Sequence, residues 1–301
     1  MKKGTITILS VSFNSSFHLK RLFKNLINKT ARLKNIKFLI VDNTNGNDKN
    51  LYNTFDKTYN LKILKNNNHF RQRSMSHASA LDLGMKNIES EFTLIVDPDI
   101  HIFQEKWDEV CLKEMALNQK TVIGAPYPQW KLGKVHNYPS VVFMFYKTNL
   151  VQDFGKKFHP FPTLHLRVFN SIMRKFVRLG GIANKKRLGQ FKILRLICNK
   201  LEKITGVTSP DTGKEIIQQF YNNGFKSIVF PSPYENYFKK KDEIGLRSLA
   251  KDFEIFLHDG KPFMSHMYSS GVYHWRTKRS ADLKYWMDLI NNIENKKEKT
   301  Y

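Results

Sequence analysis

At 301 residues the chain is long enough for one large core or two modest ones, and its 41% hydrophobic and 25% charged residues exclude disorder as a global description. No stretch approaches the roughly 20 consecutive apolar residues of a membrane-spanning helix. Two cysteines, Cys111 and Cys198, far apart and without metal-type spacing, exclude a disulfide framework and point to a reducing compartment. The net charge of +24 is concentrated, with thirteen Lys and Arg against one acid in residues 156–207 (+12), +9 in 1–155 and +3 in 208–301. So basic a segment either meets something anionic or is a strongly solvated face.

Met1-Lys2-Lys3 ahead of Thr5–Phe13 imitates the opening of a signal peptide, but Asn14, His18, Lys20 and Arg21 break the apolar run, which is read as a first strand. Leu19–Ile27 has helical apolar spacing. Lys37–Val41 is a second strand ending at Asp42, and Leu61–Leu64 is a third. Ser76–Ile88 reads as a helix with Ser74 or Ser76 as cap. Phe92–Val96 is a strand, Trp107–Leu117 a helix, and Thr121–Ala125 and Val141–Tyr146 are strands. Such alternation predicts an α/β fold with a mostly parallel sheet and helices on both faces.

Between 156 and 207 two amphipathic helices are expected. Leu166, Phe169, Ile172, Met173, Phe176 and Val177 mark one; Leu188, Phe191, Leu194, Ile197, Leu201 and Ile204 mark the other. Gly180-Gly181 and a Lys185-Lys186-Arg187 turn join them. Lys214–Tyr221 is helical, Ser227–Phe230 strand-like, and Asn291–Tyr301 polar and expected to fray.

Asp97-Pro98-Asp99, closing the Phe92–Val96 run, is the most informative motif. A buried strand that ends in two carboxylates sets both acids at its carboxyl end, the edge where open α/β sheets bind ligands. Two hard oxygen donors one residue apart suit Mn²⁺ or Mg²⁺ shared with a diphosphate; a plain turn is the alternative. Arg71 and Arg73 precede the Ser76 helix, so cations and helix N–H groups converge where a diphosphate would lie, or else form a solvated basic loop. His77, on the same helix, could contact that phosphate, against a capping or core role.

The order of these motifs resembles a GT-A glycosyltransferase of the family-2 type. The likeness is carried by Val11-Ser12-Phe13-Asn14, Val41-Asp42-Asn43 and Asp97-Pro98-Asp99. Asn66–Phe70 and His77-Ala78-Ser79-Ala80-Leu81-Asp82 stand where such enzymes carry an N-x-G…A-x-N segment. Gly124-Ala125-Pro126-Tyr127, Asn137-Tyr138-Pro139 and Asp211-Thr212-Gly213 are similar to a bacterial branch of the group. The resemblance covers residues 5–147 best. It implies a Rossmann-like nucleotide-sugar-binding half (1–155), a basic helical insertion (156–207), and an acceptor-side and C-terminal remainder of the same catalytic domain (208–301).

The resemblance further implies that Ser12, Phe13 and Asn14 line the base and ribose pocket and that Asp42 accepts a hydrogen bond from the base, an Asx turn in Asp-Asn-Thr-Asn-Gly being the alternative. Asp97 and Asp99 would hold the metal against the diphosphate. His274, in Gly271-Val272-Tyr273-His274-Trp275-Arg276, would add a ligand, with His266 behind it; a structural histidine is the alternative. The family's Glu-Asp pair before a helix is absent. Asp211 stands in a comparable place as the base of an inverting transfer, or as a helix N-cap. The Gln-x-x-Arg-Trp motif of processive synthases is missing.

Motifs and resemblance together predict a metal-dependent, hexosyltransferase-like enzyme that moves one sugar from a nucleotide-diphosphate donor to a lipid-linked or surface-polysaccharide acceptor. It would be cytoplasmic, with 156–207 as a peripheral contact to the anionic inner face of the membrane. A nucleic-acid-binding protein is the rival from charge alone; it lacks zinc-finger spacing and an RNP-like motif and leaves Asp42 and Asp97-Pro98-Asp99 unexplained. A nucleotidyltransferase on a related fold would want a Gly-rich phosphate loop after strand one, which Val11–Ser15 is not.

Overall fold

The computed structural model describes residues 2–55, 60–67, 70, 72–160, 164–209, 211–240, 243–267 and 282–298. The strands are β1 Lys2–Ser12, β2 Ile36–Asp42, β3 Leu61–Lys65, β4 Ser90–Val96, β5 Ile100–Ile102, β6 Thr121–Pro126, β7 Pro139–Lys147, β8 Lys226–Val229, β9 Glu254–His258 and β10 Lys261–His266. The helices are α1 Ser16–Asn28, α2 Lys49–Phe55, α3 Arg73–Lys86, α4 Trp107–Leu117, α5 Thr148–Gln152, α6 Leu164–Val177, α7 Lys185–Gln190, α8 Lys192–Thr205, α9 Lys214–Asn222, α10 Ile244–Asp252 and α11 Leu283–Glu298.

Seven strands form one sheet in the order β3-β2-β1-β4-β7-β6-β8, and β7 alone runs antiparallel to its neighbours. Strand alternation divides the core in two. Ile6, Ile8, Phe38 and Ile40 face α1, α2 and α4 through Leu22, Phe23, Leu51 and Trp107. Leu9, Val11, Leu39 and Val41 face α3 and α9 through Ala78, Leu81, Ile216 and Phe220. Helices on both faces of a mostly parallel sheet are the α/β architecture that the sequence predicts. Cys111 and Cys198 are free and buried.

A second sheet, β5-β10-β9, packs with α10 and α11 around Trp286, Phe253 and Ile290. None of these elements except the end of α11 was anticipated, and that end was expected to fray; the helix instead runs to Glu298 because Ile290 and Ile293 are buried beneath it. Three further expectations are corrected. Helix α3 begins at Arg73, with Gln72 at its cap position and no side-chain cap bond, so neither Ser74 nor Ser76 caps it. Lys185-Lys186-Arg187 is not a turn but opens α7, where Asn184 caps the Arg187 N–H at 3.0 Å. And the second amphipathic helix is two: Leu188 lies on α7, extended Phe191 breaks the run, and α8 carries Leu194, Ile197, Leu201 and Ile204. Val177, Leu188 and Cys198 turn in against Trp130 and Leu132, with Met173, Leu194 and Leu201 packed beside them, while Phe169, Ile172, Phe176 and Ile197 stay exposed.

Candidate active site

The parallel strands β1, β2, β3 and β4 end along one edge, and Asp97 and Asp99 leave that edge just after β4. The Asp97 N–H still donates to Val142 O at 3.0 Å, then Pro98 breaks the ladder and Asp99 leads into β5. Because β10 pairs antiparallel with β5, His266 sits opposite Ile100, and the Met267 N–H bonds Asp99 O at 2.9 Å. This register carries His266 Nε2 to 3.2 Å from Asp99 Oδ1 and 3.9 Å from Asp97 Oδ2. One ligand atom from each of the three residues lies within 4.8 Å of the other two.

Two carboxylates and an imidazole are a donor set suited to a divalent cation. The surroundings fit that use. His266 Nδ1 is 3.0 Å from Glu254 Oε2, and Glu254 Oε1 is 2.5 Å from Lys131 Nζ, with Glu254 and Lys131 both buried. A carboxylate on Nδ1 fixes the ring and leaves Nε2 aimed at the two acids, the support a metal-ligating histidine usually has. Burial opposes protonation of His266, but Asp99 and then Glu254 outweigh it and hold the ring up to about 9. Burial pushes Asp97 up to about 7; His266 opposes the rise and Asp99 adds to it. Burial and a neighbouring carboxylate each raise an acid, and adjacent carboxylates raise an imidazole.

Two other expected residues join the cluster. His77 Nε2 is 4.0 Å from Asp97 Oδ1, and burial drives this imidazole down to about 4, so it is neutral near pH 7. Asp211 is not the N-cap of α9, a position held by Gly213 in the left-handed region. Its Oδ2 accepts from Tyr127 Oη at 2.6 Å and Lys134 Nζ at 2.5 Å, and its Oδ1 from the Thr212 N–H at 2.9 Å. Burial raises this carboxyl, and Lys134 with these bonds more than reverses the rise, so Asp211 is held ionised. Thr212 Oγ1 donates to Ser74 O at 3.1 Å and ties this loop to the start of α3.

On the β1–β3 side, Ser12 is buried at the end of β1, Phe13 is 65% exposed, and Asn14 takes φ 53° as the chain turns into α1. Asp42 has no exposed surface. Its Oδ1 accepts from the Thr44 N–H at 2.9 Å and Thr44 Oγ1 at 2.6 Å, and its Oδ2 from Tyr52 Oη at 2.9 Å, which is the Asx turn. Asn43, Asn66, Ser76 and Ser79 form a polar ladder from β2 to α3, with Asn66 Nδ2 donating to Asn43 Oδ1 at 2.7 Å and Asn43 Nδ2 to Ser76 Oγ at 2.7 Å. Arg73 lies exposed in the first turn of α3. Arg71 and His274 lie outside the described residues.

Lys131, Glu254, Tyr127 and Lys134 were not singled out from the sequence. Tyr127 stood in the Gly124–Tyr127 motif, which was the one signal pointing to it; the other three carry no local mark. No family model matches the sequence, and no curated protein matches it. Among solved structures, the mannosyltransferase PcManGT from Pyrobaculum calidifontis in complex with GDP-Man and Mn²⁺ is similar at 13% identity and TM-score 0.41, over 50% of this chain and 46% of that chain. S. aureus TarS 1–349 is similar at 17% identity and TM-score 0.39, over 51% of this chain and 50% of that chain, and its complex with UDP-GlcNAc at 15% and 0.37, over 51% and 48%. The chain thus spans about half the length of each.

Proposed function

We propose that the chain transfers a single sugar from a nucleotide-diphosphate donor to a glycan or lipid-linked acceptor, with Asp97, Asp99 and His266 holding Mn²⁺ or Mg²⁺. The observation that carries this reading is the convergence of those three ligands, from two different sheets, at the carboxyl edge of the parallel strands. His266 takes the ligand role first assigned to His274. When bound, the cation would supply Lewis-acid neutralisation of the charge that gathers on a departing diphosphate.

The chain's own residues divide the remaining work. The polar ladder Asn43–Asn66–Ser79 and the loop Ser12–Asn14 form the base and ribose side, and the Asp42 turn shapes that side from within. Arg73 and the first turn of α3 face the diphosphate, and Arg71 is assigned the same role. Neutral His77 donates or accepts a hydrogen bond beside Asp97 without adding charge. Asp211 receives the proton of the acceptor hydroxyl: it is ionised, and its charge is felt at both Asp97 and His77.

The test is a donor panel of UDP-, GDP-, dTDP- and CMP-sugars, scored for turnover with Mn²⁺, with Mg²⁺ and with EDTA. One nucleotide class should turn over, EDTA should stop it, and Asp99→Asn and His266→Ala should each abolish it together with the Mn²⁺-induced rise in Tm. Turnover indifferent to EDTA, or no donor bound, would overturn the reading.

A further inference from the structure

The strongest feature left outside the site is the outer surface of 156–207. Helices α6 and α8 pack on each other and are anchored inward through Val177 and Cys198, beside Leu188 of α7. An ordinary amphipathic helix would bury its remaining apolar residues too. Here Phe169, Ile172 and Phe176, spaced three and four apart on α6, and Ile193, Leu196 and Ile197 on α8 are exposed, Ile172 at 61% and Ile193 at 75%. Exposed Lys175, Lys192, Lys200 and Lys203 stand among them. The single acid of the segment is turned away from this surface: Glu202 accepts from the Gly133 N–H and lies 3.2 Å from His136 Nε2. The outer surface therefore combines large apolar side chains with cations and no anion.

We infer that α6 and α8 lie in the headgroup layer of an anionic lipid bilayer. The chemistry selects this occupant. Nucleic acid would satisfy the lysines and could stack a base on Phe169 or Phe176, but it offers no apolar cover for the aliphatic run Ile172, Ile193, Leu196 and Ile197. A second copy of the chain would cover the apolar residues only by setting lysines against lysines. An anionic bilayer meets both demands, with acyl-chain boundary for Phe169, Ile172, Ile193 and Leu196 and phosphate for the lysines. Each cation that reaches such a surface raises partitioning about fivefold. The inner, packed half of both helices is unaffected, so docking requires no refolding.

Flotation of the full chain with vesicles of phosphatidylcholine alone, and of phosphatidylcholine with phosphatidylglycerol, decides the matter; it reads lipid binding alone and does not depend on the transferase reading. Anionic vesicles should carry the protein at least about tenfold more than neutral ones. Raising salt from about 0.1 M to about 1 M, which shortens screening from about 10 Å to about 3 Å, should cut the binding. Ile172→Asp/Leu196→Asp and, separately, Lys200→Glu/Lys203→Glu should each lower it about tenfold or more. All four positions are exposed, so Tm should hold; if one pair lowers it, the other pair decides. Equal binding to both vesicle types, binding to neither, or loss with only the lysine pair would overturn the inference. So would salt-sensitive binding to RNA with none to vesicles, or a dimer by light scattering that the aspartate pair abolishes.

Discussion

Glu254 is the residue on which the preorganisation of the proposed metal site rests. It is 5% exposed, and Lys131 and His266 together hold its carboxyl down to about 2 against the effect of burial. Glu254→Leu alone leaves Lys131, 6% exposed, without its carboxylate, and breaking a buried pair from one side costs about 3–5 kcal/mol. That loss would obscure any effect on the metal, so the informative comparison begins from Lys131→Met. Replacing both members of a buried pair by apolar residues of similar size is often neutral, and Lys131→Met/Glu254→Leu should recover most of the stability. Mn²⁺ affinity should not recover. His266 Nδ1 has lost its acceptor at 3.0 Å, and loss of such a partner lowers metal affinity about 10–100-fold, or about 1.4–2.7 kcal/mol. Lys131→Met/Glu254→Gln restores a neutral acceptor and should bring affinity most of the way back. Titration calorimetry with Mn²⁺, paired with urea unfolding of each variant, reads the two effects separately. Wild-type Mn²⁺ affinity in Lys131→Met/Glu254→Leu would refute the reasoning.

Three other outcomes are expected from the geometry. Asp42 is enclosed by Thr44 and Tyr52, so Asp42→Asn should cost about 1.5–3 kcal/mol of stability and weaken nucleotide binding no more than Tyr52→Phe does; a loss of affinity confined to Asp42→Asn would mean that its carboxylate meets the base directly. Asp211→Asn should lower kcat by about 10²–10⁴ while Mn²⁺ and nucleotide affinities hold, and an unchanged kcat would remove it as the base. Burial holds the His101 imidazole down to about 4 from an ordinary 6.5, so the unfolded chain takes up the proton first and stability falls as pH drops through that window, by up to about 3 kcal/mol. Urea unfolding from pH 7 to pH 4 should show a shallower slope in His101→Gln, and identical slopes would refute the assignment.

The α/β half was legible because its signals are local. Each of β1, β2 and β4 is a run of apolar residues whose alternate members meet opposite layers, and Asp97 and Asp99 stand where such a run stops. His266 was not preferred because nothing within Ser265-His266-Met267 distinguishes it; its place depends on β10 finding β5 across more than 160 residues of sequence. His274 was preferred because the resemblance puts a ligating histidine near the C-terminus, although its aromatic neighbours fit a structural histidine as well. Lys131 and Glu254 illustrate the same limit, since each is an ordinary charged residue until the fold buries the two together. Periodicity located α6 and ran α7 and α8 together as one helix, and it did not give the side from which they would be covered. Apolar spacing reports that a helix has two faces, while the choice of which one the protein buries was made by Trp130 and Leu132, far away in the chain.

The division of the proposed ligands between sheets has a consequence for stability. Asp97 and Asp99 belong to the end of β4 and the start of β5, whereas His266 closes β10, so the donor set straddles the junction of the large and the small sheet. The Met267 N–H to Asp99 O and Phe103 N–H to Phe263 O bonds extend the β5–β10 pairing at either end, and the Leu257 N–H of β9 bonds Pro231 O just beyond β8. Yet the three side chains meet at the junction with two carboxylates that repel each other and one imidazolium to offset them. A cation that binds only the assembled junction stabilises by RT ln(1 + [L]/Kd), about 2.7 kcal/mol at a hundredfold excess over Kd. That gain is lodged where β5, β9 and β10 join the rest of the protein. Amide exchange should therefore slow most in β10 and β5 on adding Mn²⁺, and least in β2 and β3 at the far side of the large sheet, an ordering that a cation bound nonspecifically to surface acids would not produce.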